Sequence, residues 1–126
     1  GILDVEDAKR AAGAGATALV VSNHGGRQLD GCASSISILP KVADALGSEV
    51  EVIFDSGIRS GQDVLRALAL GAKSCLIGRS YIYGLGAGGE LGVTKAIEII
   101  RKELDVSMAL TGVAAIKAIS RSVLSQ

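Results

Sequence analysis

The 126 residues carry 48% hydrophobic side chains and balance 13 basic against 13 acidic ones, a composition that supplies the core of one small domain and excludes a disordered chain. No run of lysine or arginine is interleaved with aromatics, which excludes a nucleic-acid groove, and apolar stretches such as 16–21 fall far short of the ~20 residues that span a bilayer. No membrane segment and no cleavable signal are expected, since the chain opens on an acidic, helix-like segment.

In chain order, Asp4 is an N-cap candidate with Asp7 three residues on, and it opens a helix that stops at Gly13 and Gly15. The short, β-branched run 17–22 is a buried strand. A helix over 36–46, interrupted by Pro40 and closed by Gly47, leads to a second strand, 51–54. Ser60, with Asp63 at the capping-box position, opens a helix over 61–70 that Gly71 ends, and 73–78 is a third strand. Beyond it come a helix over 79–85, a cluster of glycines at 84, 86, 88 and 89, a strong helix over 91–104, and a tail over 111–126 read as a short helix and a loose end.

Short apolar strands alternating with amphipathic helices signal consecutive βα units and a parallel sheet. With only three aromatic residues, Phe54, Tyr81 and Tyr83, the core is aliphatic, which suits parallel strands covered on both faces. Three strands leave open edges, so the expectation is an α/β fold that forms the C-terminal part of a (β/α)₈ barrel. Residues 1–126 are then a single partial domain, roughly half of a barrel that typically takes about 250 residues. Cys32 and Cys75 form no CxxC or metal-ligand pattern and read as half-buried thiols, which points to a reducing, cytoplasmic setting and to no metal site.

The segment Ser22-Asn23-His24-Gly25-Gly26-Arg27-Gln28-Leu29-Asp30 begins where the first strand ends, the face on which barrel enzymes place their chemistry. His24 offers a proton acceptor and Arg27 a planar, permanently charged clamp for a carboxylate, with Gly25 and Gly26 allowing a tight turn between them. A single loop histidine has an ordinary reading as a solvated side chain, and the two readings stand side by side on His24 alone. The loops after the second and third strands, Asp55-Ser56-Gly57-Ile58-Arg59 and Gly78-Arg79, each run into a helix N-terminus. Glycines for close approach, unpaired N–H groups and two arginines together point to a phosphate site.

The nonapeptide at 22–30 resembles the active-site signature of the FMN-dependent 2-hydroxy-acid oxidase and dehydrogenase family. The resemblance continues through 55–64, 67–72, 77–79 and 108–112, and so covers nearly the whole chain. It implies FMN as cofactor and a small 2-hydroxy acid as substrate, oxidised to the 2-oxo acid, with a lactate-like acid favoured by Asp30-Gly31 and by the 108–112 motif. It implies that His24 is the active-site base and that Arg27 pairs with the substrate carboxylate. Asp55 would meet the ribityl hydroxyls, Ser56, Gly57, Ile58, Arg59, Gly78 and Arg79 would surround the phosphate, and Ser22 would lie near the flavin ring. Ser56 departs from the second glycine of many members; Asp30 reads as a loop-fixing residue, and Tyr81 and Tyr83 as packing residues.

The resemblance further implies a lysine directly before Gly1 in the intact protein, upstream tyrosines and an upstream aspartate that completes the histidine's surroundings. The 126-residue chain alone is therefore expected to be inactive, and the intact enzyme to be a cytoplasmic homo-oligomer, with peripheral attachment to a membrane left open. Two alternatives remain at this stage: a non-catalytic phosphate- or flavin-binding half-barrel that needs a partner, and another flavin barrel such as a diphosphate isomerase.

Overall fold

The computed structural model describes residues 1–125. Asp4 has extended backbone, and its carboxylate accepts from the N–H groups of Glu6 and Asp7 at 2.8 and 3.2 Å, so α1 (Val5–Gly13) begins where the capping pattern placed it. Then follow β1 (Ala18–Val21), α2 (Ser35–Leu46), β2 (Glu51–Phe54), α3 (Gly61–Ala69), β3 (Ser74–Cys75) and α4 (Arg79–Leu110). The strands pair in parallel in the order β1-β2-β3, with Val21 beside Phe54 and Phe54 beside Cys75. On the free side of β1, Ile2 makes a parallel bridge to Val21, its N–H donating to Val20 O at 2.9 Å. This adds a fourth strand position, which a single pair of residues could not announce as a periodicity.

The side chains of β1 and β2 alternate. Leu19, Val21, Val52 and Phe54 are buried under the helices with Leu39, Val42 and Leu46 of α2, forming one aliphatic layer around a single aromatic ring. Each such side chain withdrawn from water contributes about 2 kcal/mol. Val20 and Ile53, on the opposite face, are only half-buried. The described residues thus cover one face of the sheet and not both, as three strands of a larger barrel would.

Several element boundaries differ from the sequence expectation, most of them by a single residue. β3 is two residues long rather than six, because β2 ends at Phe54 and offers no partner beyond the Leu76 N–H to Phe54 O bond of 2.8 Å. The two expected C-terminal helices are both present as the two arms of α4, separated at Gly88 and Gly89 (φ +56), the latter a conformation that glycine adopts freely. There the chain reverses and brings Gly84 against Gly92; a Cβ on Gly84 would lie 2.5 Å from Gly92 O. α4 also continues to Leu110, and the tail forms two short 3₁₀ turns, Ile116–Ala118 and Arg121–Val123, in place of a helix. Gln126 lies outside the described residues.

Burial pushes the Cys75 thiol up to about 12 from its ordinary 9.0. At pH 8 the thiolate that reacts with alkylating agents is then almost absent. In the folded protein, iodoacetamide at pH 8 is expected to spare Cys75 and to modify it only after denaturation, as read by peptide mass spectrometry. Because the raised value belongs to the folded state, this thiol leaves stability unchanged below pH 9. Its contribution falls by about 1.4 kcal/mol per pH unit between the unfolded and folded values.

Candidate active site

Parallel strands end on one rim, and the loops after β1, β2 and β3 meet there around a cavity of about 780 Å³. His24, Arg27, Asp55, Arg59 and Arg79 all line it. Residues from three separate loops are thus brought to one ligand-sized space, as the sequence reading expected. Ser22 is the exception. It is buried at the end of β1 and reaches the cavity through the groups it holds.

His24, Gly25 and Gly26 have φ values of +55, +67 and +73, so three successive residues are left-handed and turn the chain sharply after β1. Histidine tolerates this region better than bulkier or β-branched residues do, and the two glycines adopt it without cost. The turn is held from below. The His24 N–H donates to Ser22 Oγ at 3.0 Å and the Gly25 N–H to Ser56 Oγ at 3.1 Å. The Ser22 hydroxyl donates to Asp55 Oδ2 in a short hydrogen bond, and the Ser56 hydroxyl to the same oxygen at 3.2 Å. Above the turn, Arg79 Nη2 donates to Gly25 O at 3.3 Å. The imidazole faces the first residue of the chain: a Cβ on Gly1 would lie 2.7 Å from His24 Nε2, so a side chain there would displace the ring.

The two helix N-termini at the rim are not equivalent. At α3, Asp63 Oδ2 accepts from the Arg59 and Ser60 N–H groups at 3.1 and 3.0 Å, and Glu103 Oε2 from the Gly61 N–H at 2.8 Å. Carboxylates therefore already take up the Arg59, Ser60 and Gly61 N–H groups at that terminus. At α4, Gly78 caps with no side-chain bond, and the N–H groups of Arg79 and Ser80 meet no acceptor among the described residues. Gly57 (φ +92), Arg59, Gly78 and Arg79 line the same cavity as these free N–H groups, an arrangement that could receive an anion.

Arg27, Arg59 and Arg79 form no ion pair with any described residue. The one acid that lines the cavity, Asp55, turns its carboxylate to Ser22 and Ser56. The space thus carries uncompensated positive charge, which suits one anion held by backbone N–H groups at α4 and a second near Arg27.

Sequence reasoning missed three residues that build this site. Glu103 ties α4 to the start of α3. The Ser80 hydroxyl donates to Ile58 O at 2.9 Å and locks the two phosphate-side loops together. Tyr83, read as a packing residue, lines the cavity. Asp63 had a signal in the capping box; Glu103 had none, because its partner lies 42 residues away. Asp30 is exposed and accepts only from the Gly31 N–H at 3.0 Å, which agrees with a loop-fixing role. Among the described residues no group of histidine, cysteine and carboxylate side chains is arranged to hold a metal ion, and no helix is long and apolar enough to cross a membrane.

The family model described as FMN-dependent dehydrogenase matches residues 1–126. An L-lactate dehydrogenase of Caulobacter vibrioides is 56% identical over all of this chain, which covers 33% of that relative. An L-lactate dehydrogenase of Pseudomonas syringae pv. syringae is 54% identical over 124 residues, 98% of this chain and 33% of that one. Among solved structures, a tyrosine-to-phenylalanine variant of mandelate oxidase with a monooxide FMN adduct superposes with a TM-score of 0.92. It is 48% identical, and the match covers 96% of this chain and 38% of that one. Mandelate oxidase with 3,3-difluoro-2-hydroxy-3-phenylpropionic acid gives the same score and identity over 37% of its length. The chain spans about a third of the length of the curated relatives it matches, less than the half that a bare barrel had suggested.

Proposed function

The chain belongs to the FMN-dependent dehydrogenase family, and from that membership we propose that the protein carrying it oxidises a small L-2-hydroxy acid, lactate-like in size, to the 2-oxo acid. The observation that supports this most is the shared cavity: His24 and Arg27 stand on one wall, and the unpaired donors of the α4 N-terminus stand on the other. When bound, FMN supplies the two-electron acceptor for the oxidation.

The donor set fits that cofactor. Its phosphate matches the Gly57 turn, the start of α4 at Gly78 and Arg79, and the arginines at 59 and 79, while Ile58, which is buried, and Ser80 hold the two loops in register. Asp55, which lines the cavity, would meet ribityl hydroxyls, and Ser22, buried behind the His24 turn, would act near the ring through the groups it holds. Arg27 has a free guanidinium for a substrate carboxylate and fixes its plane through two parallel hydrogen bonds. With the carboxylate fixed, the neighbouring carbon and its hydroxyl are presented to His24, whose imidazole accepts the proton that leaves the substrate. The proton ends on the imidazole whether it comes from the hydroxyl or from the carbon. A reducing, cytoplasmic location fits the two cysteines, which are free thiols.

The test is anaerobic bleaching of the flavin in the full-length protein by L-lactate, mandelate and glycolate. Rapid bleaching by at least one acid is expected, and none by any of them overturns the proposal. Arg27→Lys keeps the charge and loses the fork, so kcat/KM is expected to fall about 10- to 100-fold. An unchanged value would show that Arg27 does not hold the substrate.

A further inference from the structure

Among the described residues, His24 and Ser56 are the two non-glycine residues with left-handed backbone, at φ +55 and +82. A Cβ makes that conformation unfavourable, and Gly57, the next residue in the chain, shows that the loop elsewhere uses glycine for it. What Ser56 brings in exchange is its hydroxyl. Asp55 Oδ2 accepts from the hydroxyls of both Ser22 and Ser56, and an ionised carboxylate can only accept. The Ser22 proton is thus directed to Asp55 and the Ser56 proton to Asp55 or to Ser22 Oγ, and both hydroxyl oxygens remain free to accept. They do so toward the two backbone N–H groups that open the left-handed turn, Ser22 Oγ for His24 and Ser56 Oγ for Gly25. The two oxygens lie 3.2 Å apart, and the Ser35 hydroxyl steadies the Ser56 carbonyl at 3.4 Å.

We propose that Ser56 is a positioning residue for the base: its hydroxyl, oriented by Asp55, pins the Gly25 N–H and so holds the His24 imidazole over the cavity. The proposal rests on the assignment of His24 as the proton acceptor. It gives the Ser56 side chain a role directed at the histidine loop, leaving only its backbone to the phosphate side.

Two variants separate positioning from stability. Ser56→Gly removes the hydroxyl and also the Cβ that disfavours φ +82; Ser56→Ala removes the hydroxyl and keeps the Cβ. In the full-length, flavin-loaded protein, Ser56→Gly is expected to unfold close to the parent's temperature, because relief of the φ +82 backbone offsets the lost hydrogen bonds. It is also expected to lose hydrogen-exchange protection at the Gly25 amide, and to reduce its flavin about tenfold more slowly at saturating 2-hydroxy acid, with rates taken per bound flavin. Ser56→Ala is expected to be as slow and to unfold at a lower temperature than Ser56→Gly. A parent-like reduction rate in Ser56→Gly, or an amide at Gly25 that stays protected, overturns the proposal. So does a fall in rate that is matched by a fall in unfolding temperature in Ser56→Gly, since a purely structural role moves the two together. The exchange measurement needs no substrate. If no 2-hydroxy acid bleaches the parent, the functional reading fails, and the Gly25 amide still decides the role of Ser56.

Discussion

Replacing His24 with glutamine in the full-length protein is expected to slow reduction of the flavin by a 2-hydroxy acid by about 10²–10⁴-fold while the flavin remains bound. Glutamine approximates the length of the imidazole and its hydrogen-bonding reach but does not take up a proton near neutral pH. The substrate can then be held and oriented, yet the proton that must leave it has no acceptor. The backbone of the turn is held by Ser22 and Ser56 rather than by the imidazole, so the loop should survive the substitution. Stopped-flow bleaching gives the rate, and flavin absorbance after gel filtration gives the occupancy. Near-parent bleaching would remove His24 from the reaction; loss of the flavin with the rate would mean that the residue serves the cofactor site instead.

The second large effect is expected at Gly61, far from any substrate. On helix propensity alone, Gly61→Ala should stabilise the first turn of α3 by up to about 1 kcal/mol. The tertiary contact reverses that sign. A Cβ on Gly61 would run into the α4 backbone at Glu103 and Leu104 and would lie 2.6 Å from Ile100 O. None of these is the tip of a flexible side chain, so α4 itself must move. Moving it breaks the Gly61 N–H to Glu103 bond and shifts the start of α3, which carries Arg59 at the rim of the cavity. Overpacking and an orphaned buried N–H together cost about 3 kcal/mol or more. Thermal unfolding of Gly61→Ala is expected to show a loss of several degrees, and an FMN titration a weakened affinity. A Tm at or above the parent's would mean that the two helices are not packed as described.

The same contrast runs through the whole molecule. Asp4, Ser60 and Asp63 announced helix starts because capping is a local exchange between a side chain and N–H groups two or three residues on. The strands at 18–21 and 51–54 were legible as short β-branched runs, and β2 was placed to the residue. β3 was overestimated because a strand ends where its partner does, and the end of β2 is not written in the residues of β3. The reversal at Gly89 lay within a visible glycine cluster, but which glycine turned could be told only from the contact between Gly84 and Gly92.

The chain by itself determined the alternation of strands and helices, the histidine and arginine at the end of a strand, and the glycine- and arginine-rich turns of an anion site. These depend on local pattern and on residue chemistry. The tertiary structure decided which backbone donors meet carboxylates: Glu103 and Asp63 take up the Arg59, Ser60 and Gly61 N–H groups at α3, while those of Arg79 and Ser80 meet no acceptor among the described residues. It also decided that Ser56 faces the histidine loop, through an acceptor-only carboxylate that sets the direction of every hydrogen bond around it. Both outcomes rest on partners tens of residues apart, which meet only when parallel strands bring their ends to one rim.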